Sequence, residues 1–318
     1  MNPRNLINSR ILALLCVIFL VLVLAACGGG GGEPRIEPPP VRDDCGSDSV
    51  LENGVCRQFA LRSDERIPTR FVEDGMPVSL EAVVFRPLTG ERFPTIVVNH
   101  GSTGSGSDPD LFRLTFTHKP ISLFFVERGW QVIFPQRRGR GLSDGLYDEG
   151  FTPDRSGYSC ELDAALAGAD RALADLDVIT DWVRGRADVD TTRMLVSGTS
   201  RGGILSIALV ARRPDVYLGA VNFVGGWIAE GCGDHLQINR ALFRRGAAFP
   251  LQTLWLYASN DSFYSLPYTR GLFDDYAIAG GFGAFEEFTR APGLNGHFII
   301  NDPDRWGPAL DGYLGQLP

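Results

Sequence analysis

The sequence predicts a doubly wound α/β domain built on a mostly parallel sheet, and three observations carry that prediction. Short apolar runs bounded by proline and glycine, such as Thr95-Ile96-Val97-Val98, have the pattern of fully buried strands. Other segments place apolar residues at three- and four-residue steps, the longest running from Leu162 to Val183. The two kinds alternate along the chain, which calls for crossover connections and helices on both faces of the sheet.

In order, Met76 to Pro87 reads as a strand with Val78, Leu80, Ala82 and Val84 on one face. After the Thr95–Val98 strand, Pro120 opens a helix through Ile121, Leu123, Phe124 and Val126 that Gly129 stops. Trp130 to Pro135 is the next strand, followed by the Leu162–Val183 helix. Arg193 to Val196 leads into a helix through Ile204, Leu205, Ala208 and Leu209, which Pro214 ends. Strands at Tyr217–Val224 and Leu251–Ala258, a helix at Tyr268–Ala279 and a strand at Ala284–Arg290 complete the pattern.

The N-terminus reads as a leader. Arg4 and Arg10 precede an apolar run, and Ile11 to Ala26 spans 16 residues, short of the ~20 that cross a bilayer. Leu24-Ala25-Ala26-Cys27 resembles the lipobox of bacterial lipoproteins. That resemblance implies removal of residues 1–26, lipidation of Cys27 and anchorage in the bacterial cell envelope, on the periplasmic or outer-membrane face. Residues 27–43, rich in glycine and then proline, read as a tether. Residues 44–66 form a small cysteine-bearing extension, and 67–318 the catalytic domain.

Without the leader, 28 basic residues face 38 acidic ones, a balance that repels nucleic acid. Once Cys16 leaves with the leader and Cys27 takes lipid, Cys45, Cys56, Cys160 and Cys232 remain, an even number suited to an oxidising compartment. Three pairings are open. Cys45–Cys56 is the local one, across the Glu52-Asn53-Gly54 turn, and leaves Cys160–Cys232 to join two loops.

Two Gly-x-Ser-x-Gly patterns occur. Gly141-Leu142-Ser143-Asp144-Gly145 has no helix start after it and reads as a loop turn. Gly198-Thr199-Ser200-Arg201-Gly202 follows the Met194-Leu195-Val196 strand directly and enters an apolar helix. That is the context of a strained nucleophile turn, where Gly198 and Gly202 avoid clashes and the helix N-terminus favours developing negative charge.

A serine needs a base, and the chain has four histidines. His118 and His235 read as surface or polar-loop residues, and His100 follows a strand end. His297 occupies the loop between the last strand and the terminal helix, from which it can fold over the sheet's carboxyl edge. Asp261 lies just past the Leu254–Ala258 strand on that same edge and is the candidate to orient the imidazole. The chain order Ser200, Asp261, His297 is that of α/β-hydrolases. The oxyanion donors expected are the amides of Arg201 and Ser102, with Thr103 second.

His100-Gly101, Arg138-Gly139-Arg140-Gly141-Leu142-Ser143, Gly198 to Gly203, Ser259-Asn260-Asp261 and Gly296-His297 together resemble the dienelactone-hydrolase-like branch of the α/β-hydrolases, over about 250 residues from near Ile67. The resemblance implies an eight-stranded, mostly parallel sheet and cofactor-free hydrolysis of small-molecule esters. Dienelactone hydrolases proper carry a cysteine nucleophile where this chain has Ser200. Related serine peptidases share the motifs, and the prolyl-oligopeptidase type adds a propeller for which some 30 residues here leave no room. No metal site is expected, since no histidine pairs with acidic or cysteine ligands at zinc-like spacing. The expected activity is ester cleavage through an acyl-enzyme, with peptide or amide cleavage, or a non-catalytic surface lipoprotein, as alternatives. Trp227, His235, Tyr147 and Phe263 or Tyr264 are the expected pocket walls.

Overall fold

The computed structural model describes residues 45–318. The leader, Cys27 and the whole of the tether lie outside the described residues. β1 (Ser49–Glu52) and β2 (Val55–Gln58) form a separate antiparallel hairpin turned at Asn53-Gly54, and the Cys45–Cys56 disulfide spans it.

The main sheet has eight strands: β3 (Leu61–Glu73), β4 (Met76–Arg86), β5 (Phe93–Asn99), β6 (Gln131–Gln136), β7 (Val189–Thr199), β8 (Gly219–Phe223), β9 (Thr253–Ala258) and β10 (Gly283–Phe288). Their order across the sheet is β10-β9-β8-β7-β5-β6-β4-β3. Only β4 runs against the rest, pairing antiparallel with β3 on one side and β6 on the other. The mostly parallel eight-stranded sheet expected from the sequence is therefore the observed one.

Among the described residues six α-helices flank these strands: α1 (Lys119–Val126), α2 (Leu162–Arg184), α3 (Arg201–Arg212), α4 (His235–Arg244), α5 (Leu266–Ile278) and α6 (Pro303–Leu314). α1 and α6 contact one another on one face, and α2 to α5 contact one another in succession on the other. β5, β6, β8 and β9, covered on both faces, are buried along their whole length. The same cover explains β4. The period-two reading put Val78, Leu80, Ala82 and Val84 inside, yet Val83 and Phe85 are buried too, because both sides of the strand are packed.

Three features differ from the reading of the sequence. β3 begins at Leu61 and pairs with β4 from its first residue, so the sheet starts six residues before Ile67. Its polar alternation is that of an edge strand and lacks the apolar run that marks an inner one. His235 is the first residue of α4 rather than a loop residue. His118 is not a free surface residue: it caps α1, its Nδ1 accepting from the Ile121 amide at 3.4 Å while Nε2 meets Asn301 Oδ1 at 2.8 Å.

Candidate active site

β7 ends at Thr199 and α3 starts at Arg201, so Ser200 alone makes the turn between them. Its φ of 54° and ψ of −121° lie where a side chain costs on the order of 1–3 kcal/mol. Four hydrogen bonds hold it there. The Ser200 amide donates to Phe223 O (3.0 Å), and the Ser200 carbonyl accepts from Gly203 (2.9 Å), Ile204 (3.3 Å) and Gly226 (3.2 Å). A side chain at Gly198 would overlap the Gly202 backbone, and one at Gly202 the Asn99 and His100 carbonyls, which fixes glycine at both positions.

Asp261 lies three residues beyond β9, its side chain wholly buried. Oδ1 accepts from the amides of Phe263 (2.7 Å) and Tyr264 (3.1 Å), and Oδ2 faces His297 Nδ1 at 3.0 Å. His297 stands on a 3₁₀ turn, Gly296–Asn301, capped by Asn295, whose Oδ1 accepts from the His297 amide. Asn295 also ties the two loops together, donating to Ser262 Oγ (2.7 Å) and accepting from the Ser262 amide (3.1 Å). The Gly296 amide adds a bond to Asn260 O. The Tyr264 ring centroid is 5.5 Å from that of His297.

The loop after β5 lies against Ser200, since a Cβ at Gly101 would be 3.1 Å from Ser200 Cβ. The Thr103 amide already donates to Tyr158 Oη (3.1 Å), and Thr103 Oγ1 lies 2.9 Å from the same hydroxyl. Ser102 is thereby left as the better candidate of the two. As the first amide of α3, Arg201 N has no acceptor within its helix.

Residues 74–227 match the family of X-Pro dipeptidyl-peptidases (S15 family). Comparison with curated proteins gives no match. Among solved structures, the Pyrococcus furiosus esterase Pf2001 superposes with a TM-score of 0.56 at 14% identity, over 81% of this chain and 91% of its own. A Klebsiella pneumoniae protein assigned as a dienelactone hydrolase gives 0.51 at 17% identity, over 79% and 97%. The acylaminoacyl peptidase of Pyrococcus horikoshii gives 0.52 at 15% identity, over 78% of this chain and 39% of its own. The chain has the α/β-hydrolase fold.

Within this α/β-hydrolase fold the Ser200 turn rests on a buried cluster of charge. Arg201 donates from Nε to Trp227 O (2.8 Å) and from Nη1 to Glu149 O (2.9 Å), and its guanidinium lies 3.5 Å from the Tyr158 ring centroid and 4.3 Å from that of Trp227. Glu149 pairs with Arg137 at 2.5 Å and with Arg201 at 3.5 Å. Burial raises the Glu149 pKa, but the Arg137 and Arg201 charges outweigh it and hold the carboxyl below its usual value. His100 is fully buried between Arg137 and Arg140; burial first, then these two cations, push its pKa well down. His100 is thus enclosed, whereas His297 is the histidine paired with Asp261.

The expected walls divide. Trp227 and Tyr147 are buried and serve as supports, His235 packs on Tyr268, and Phe263 is half-buried with its ring 4.5 Å from His297. Cys160 and Cys232 are joined, so the loop that carries Tyr158 is tied to the segment that follows Trp227. Ser143 is a loop residue, as read: its Oγ donates to Gln136 O and accepts from the Glu81 amide. The supports missed in the sequence are Tyr158, Arg137 and Glu149. They lie in a Gly-, Asp- and Tyr-rich loop region with no periodicity, and only the aromatic residues within it were a signal. Among the described residues no group of three His, Cys, Asp or Glu side chains is placed to hold a metal.

Proposed function

We propose that this α/β-hydrolase cleaves carboxylic esters of small molecules through an acyl-enzyme. The observation that carries the reading is the 3.0 Å pairing of His297 with the doubly anchored Asp261, on the same sheet edge as the strained Ser200 turn. Ser200 Oγ attacks the acyl carbon, and His297 takes its proton and returns it to the leaving alcohol. Asp261 fixes the imidazole tautomer and stabilises the imidazolium. The amides of Arg201 and Ser102 receive the oxyanion. In the second half, water activated by His297 releases the acid and frees Ser200.

The esterase neighbour supports ester over peptide cleavage because the likeness spans 91% of its length, whereas it covers 39% of the acylaminoacyl peptidase. The match of residues 74–227 to X-Pro dipeptidyl-peptidases favours the second reading, a serine peptidase. p-Nitrophenyl esters of increasing chain length, run beside peptide p-nitroanilides, decide between them. The expected result is ester turnover that Ser200→Ala abolishes; anilide turnover at comparable rates makes the protein a peptidase. No labelling of the wild-type chain by a fluorophosphonate ends both readings.

The same reading extends to placement: Cys27, after removal of residues 1–26, carries the lipid that holds the enzyme on the cell envelope. Mass spectrometry of the N-terminal peptide from native membranes tests this, and a Cys27→Ser chain that stays membrane-bound overturns it.

A further inference from the structure

Tyr158 touches both residues next to the expected oxyanion donors. On one side is the loop after β5 that carries Ser102. The Thr103 amide donates to Tyr158 Oη at 3.1 Å, Thr103 Oγ1 lies 2.9 Å from the same oxygen, and the Tyr158 amide donates to Ser105 O at 3.0 Å. On the other side is Arg201, whose guanidinium lies 3.5 Å from the Tyr158 ring centroid. The hydroxyl also meets Tyr147 Oη at 2.8 Å, and Tyr147 Oη in turn meets Glu149 Oε2 at 3.1 Å. Proton counting gives each of these bonds its direction. Glu149, ionised between Arg137 and Arg201, can only accept, so Tyr147 spends its one proton there. Tyr158 must then donate to Tyr147, which leaves its two lone pairs for the amide proton and the Oγ1 proton of Thr103. The row Thr103, Tyr158, Tyr147, Glu149 thus runs one way, toward the carboxylate, and its bonds reinforce one another.

We propose that Tyr158 is a positioning residue for the oxyanion site, holding the Ser102 amide through Thr103 and the Arg201 amide through the stacked guanidinium so that the two donors keep one spacing. The inference rests on the serine-hydrolase reading and is the same for ester and amide substrates, whose tetrahedral intermediates carry the same oxyanion. The loop needs an anchor from outside. Gly104 and Gly106 both take left-handed φ, 62° and 80°, at residues where the backbone is least constrained, and the Tyr158 bonds to Thr103 and Ser105 bracket the first of them. Arg201 is held from the same direction, since its Nη1 donates to Glu149 O while Glu149 Oε2 ends the hydroxyl row. One buried residue therefore terminates both supports. Tyr158 exchanges no proton with the substrate, because its own is committed to Tyr147. Its part is to keep two amides where the charge develops, since a displacement of ~1 Å in such a site can cost on the order of 10² in rate.

The test is Tyr158→Phe, which keeps the ring against Arg201 and removes only the hydroxyl. With a p-nitrophenyl ester, kcat is expected to fall on the order of tenfold with KM unchanged, less than the ~10²–10³ lost with a whole oxyanion donor. A trifluoromethyl ketone, whose adduct with Ser200 puts an oxyanion in the same place, should lose the same factor in affinity. A purely structural role would lower the melting temperature and move neither quantity. Amide hydrogen exchange over residues 100–107 should quicken, a readout that needs no substrate. Values of kcat and ketone affinity within about twofold of wild type overturn the proposal, whatever the exchange shows. If Tyr158→Phe does not fold, Tyr147→Phe removes the acceptor of the Tyr158 proton and leaves Thr103 its own; kcat and ketone affinity should then fall about threefold together, and no loss overturns the proposal. Should the wild-type protein turn over no ester or anilide yet still label with fluorophosphonate at Ser200, the substrate reading fails by itself. The tenfold loss is then expected in the labelling rate of Tyr158→Phe, and an unchanged rate sinks the positioning role.

Discussion

His297 Nδ1 lies 3.0 Å from Asp261 Oδ2, and the other oxygen of that carboxylate is held by the amides of Phe263 and Tyr264. The carboxylate cannot rotate away without losing both amide donors, so the imidazole is held in one orientation. Asp261→Asn should leave the fold intact and offer His297 an amide in place of an acceptor. The expected cost is about 10⁴ in kcat with KM little changed, the pattern of a wrong tautomer. Steady-state kinetics check it; a loss under tenfold removes Asp261 from the mechanism.

Glu149 is the counter-charge buried with Arg137 and Arg201, each of the three side chains at least 96% enclosed. Glu149→Gln leaves two guanidinium groups in the interior without it. Breaking a buried pair in this way costs about 3–5 kcal/mol. Urea unfolding should show the loss, together with reduced activity because Arg201 supports the nucleophile turn. A change below about 1 kcal/mol contradicts the account.

The Cys160–Cys232 disulfide joins residues 72 apart in sequence and holds together two segments beside Ser200. Replacing both cysteines by serine should cost about 2–4 kcal/mol and raise KM as the segments part. Cys45–Cys56 spans 11 residues in a hairpin outside the main sheet, so its removal should leave KM as it was. Thermal melts and kinetics of the two double variants compare them directly; equal effects on KM refute a role for Cys160–Cys232 in holding the site together.

His118 gives the fold a dependence on pH. Burial lowers its pKa from 6.5 to about 4, a shift that Asn301 opposes. The unfolded chain takes up this proton first, so stability is full above about pH 6.5 and declines as pH falls toward 4. The decline attributable to this residue is at most about 3 kcal/mol. His118→Asn keeps a capping acceptor and should flatten that slope in denaturant melts run across pH 4–7. An unchanged slope places the acid sensitivity elsewhere.

Much of the site was legible because its parts are local. Gly198 to Gly202 after an apolar strand specifies the tight strand-to-helix turn at Ser200, since the steric demand is met within five residues. His297 and Asp261 could be placed on the carboxyl edge from element order alone. β3 and α4 were missed for a shared reason: their residues are largely polar outside a thin buried stripe, so composition hides the periodicity.

The sequence by itself determined the alternation of strands and helices, the Ser–Asp–His chain order and the elbow, because each follows from hydrophobic spacing and backbone sterics acting over a few residues. Only the tertiary structure decided that Asp261 and His297 meet, that Tyr158 takes the Thr103 amide and leaves Ser102, and that Arg201 is clamped by Trp227 and Glu149. Those contacts join loops tens of residues apart. Their geometry is set by how the sheet twists and how the loops pack, which no local pattern encodes.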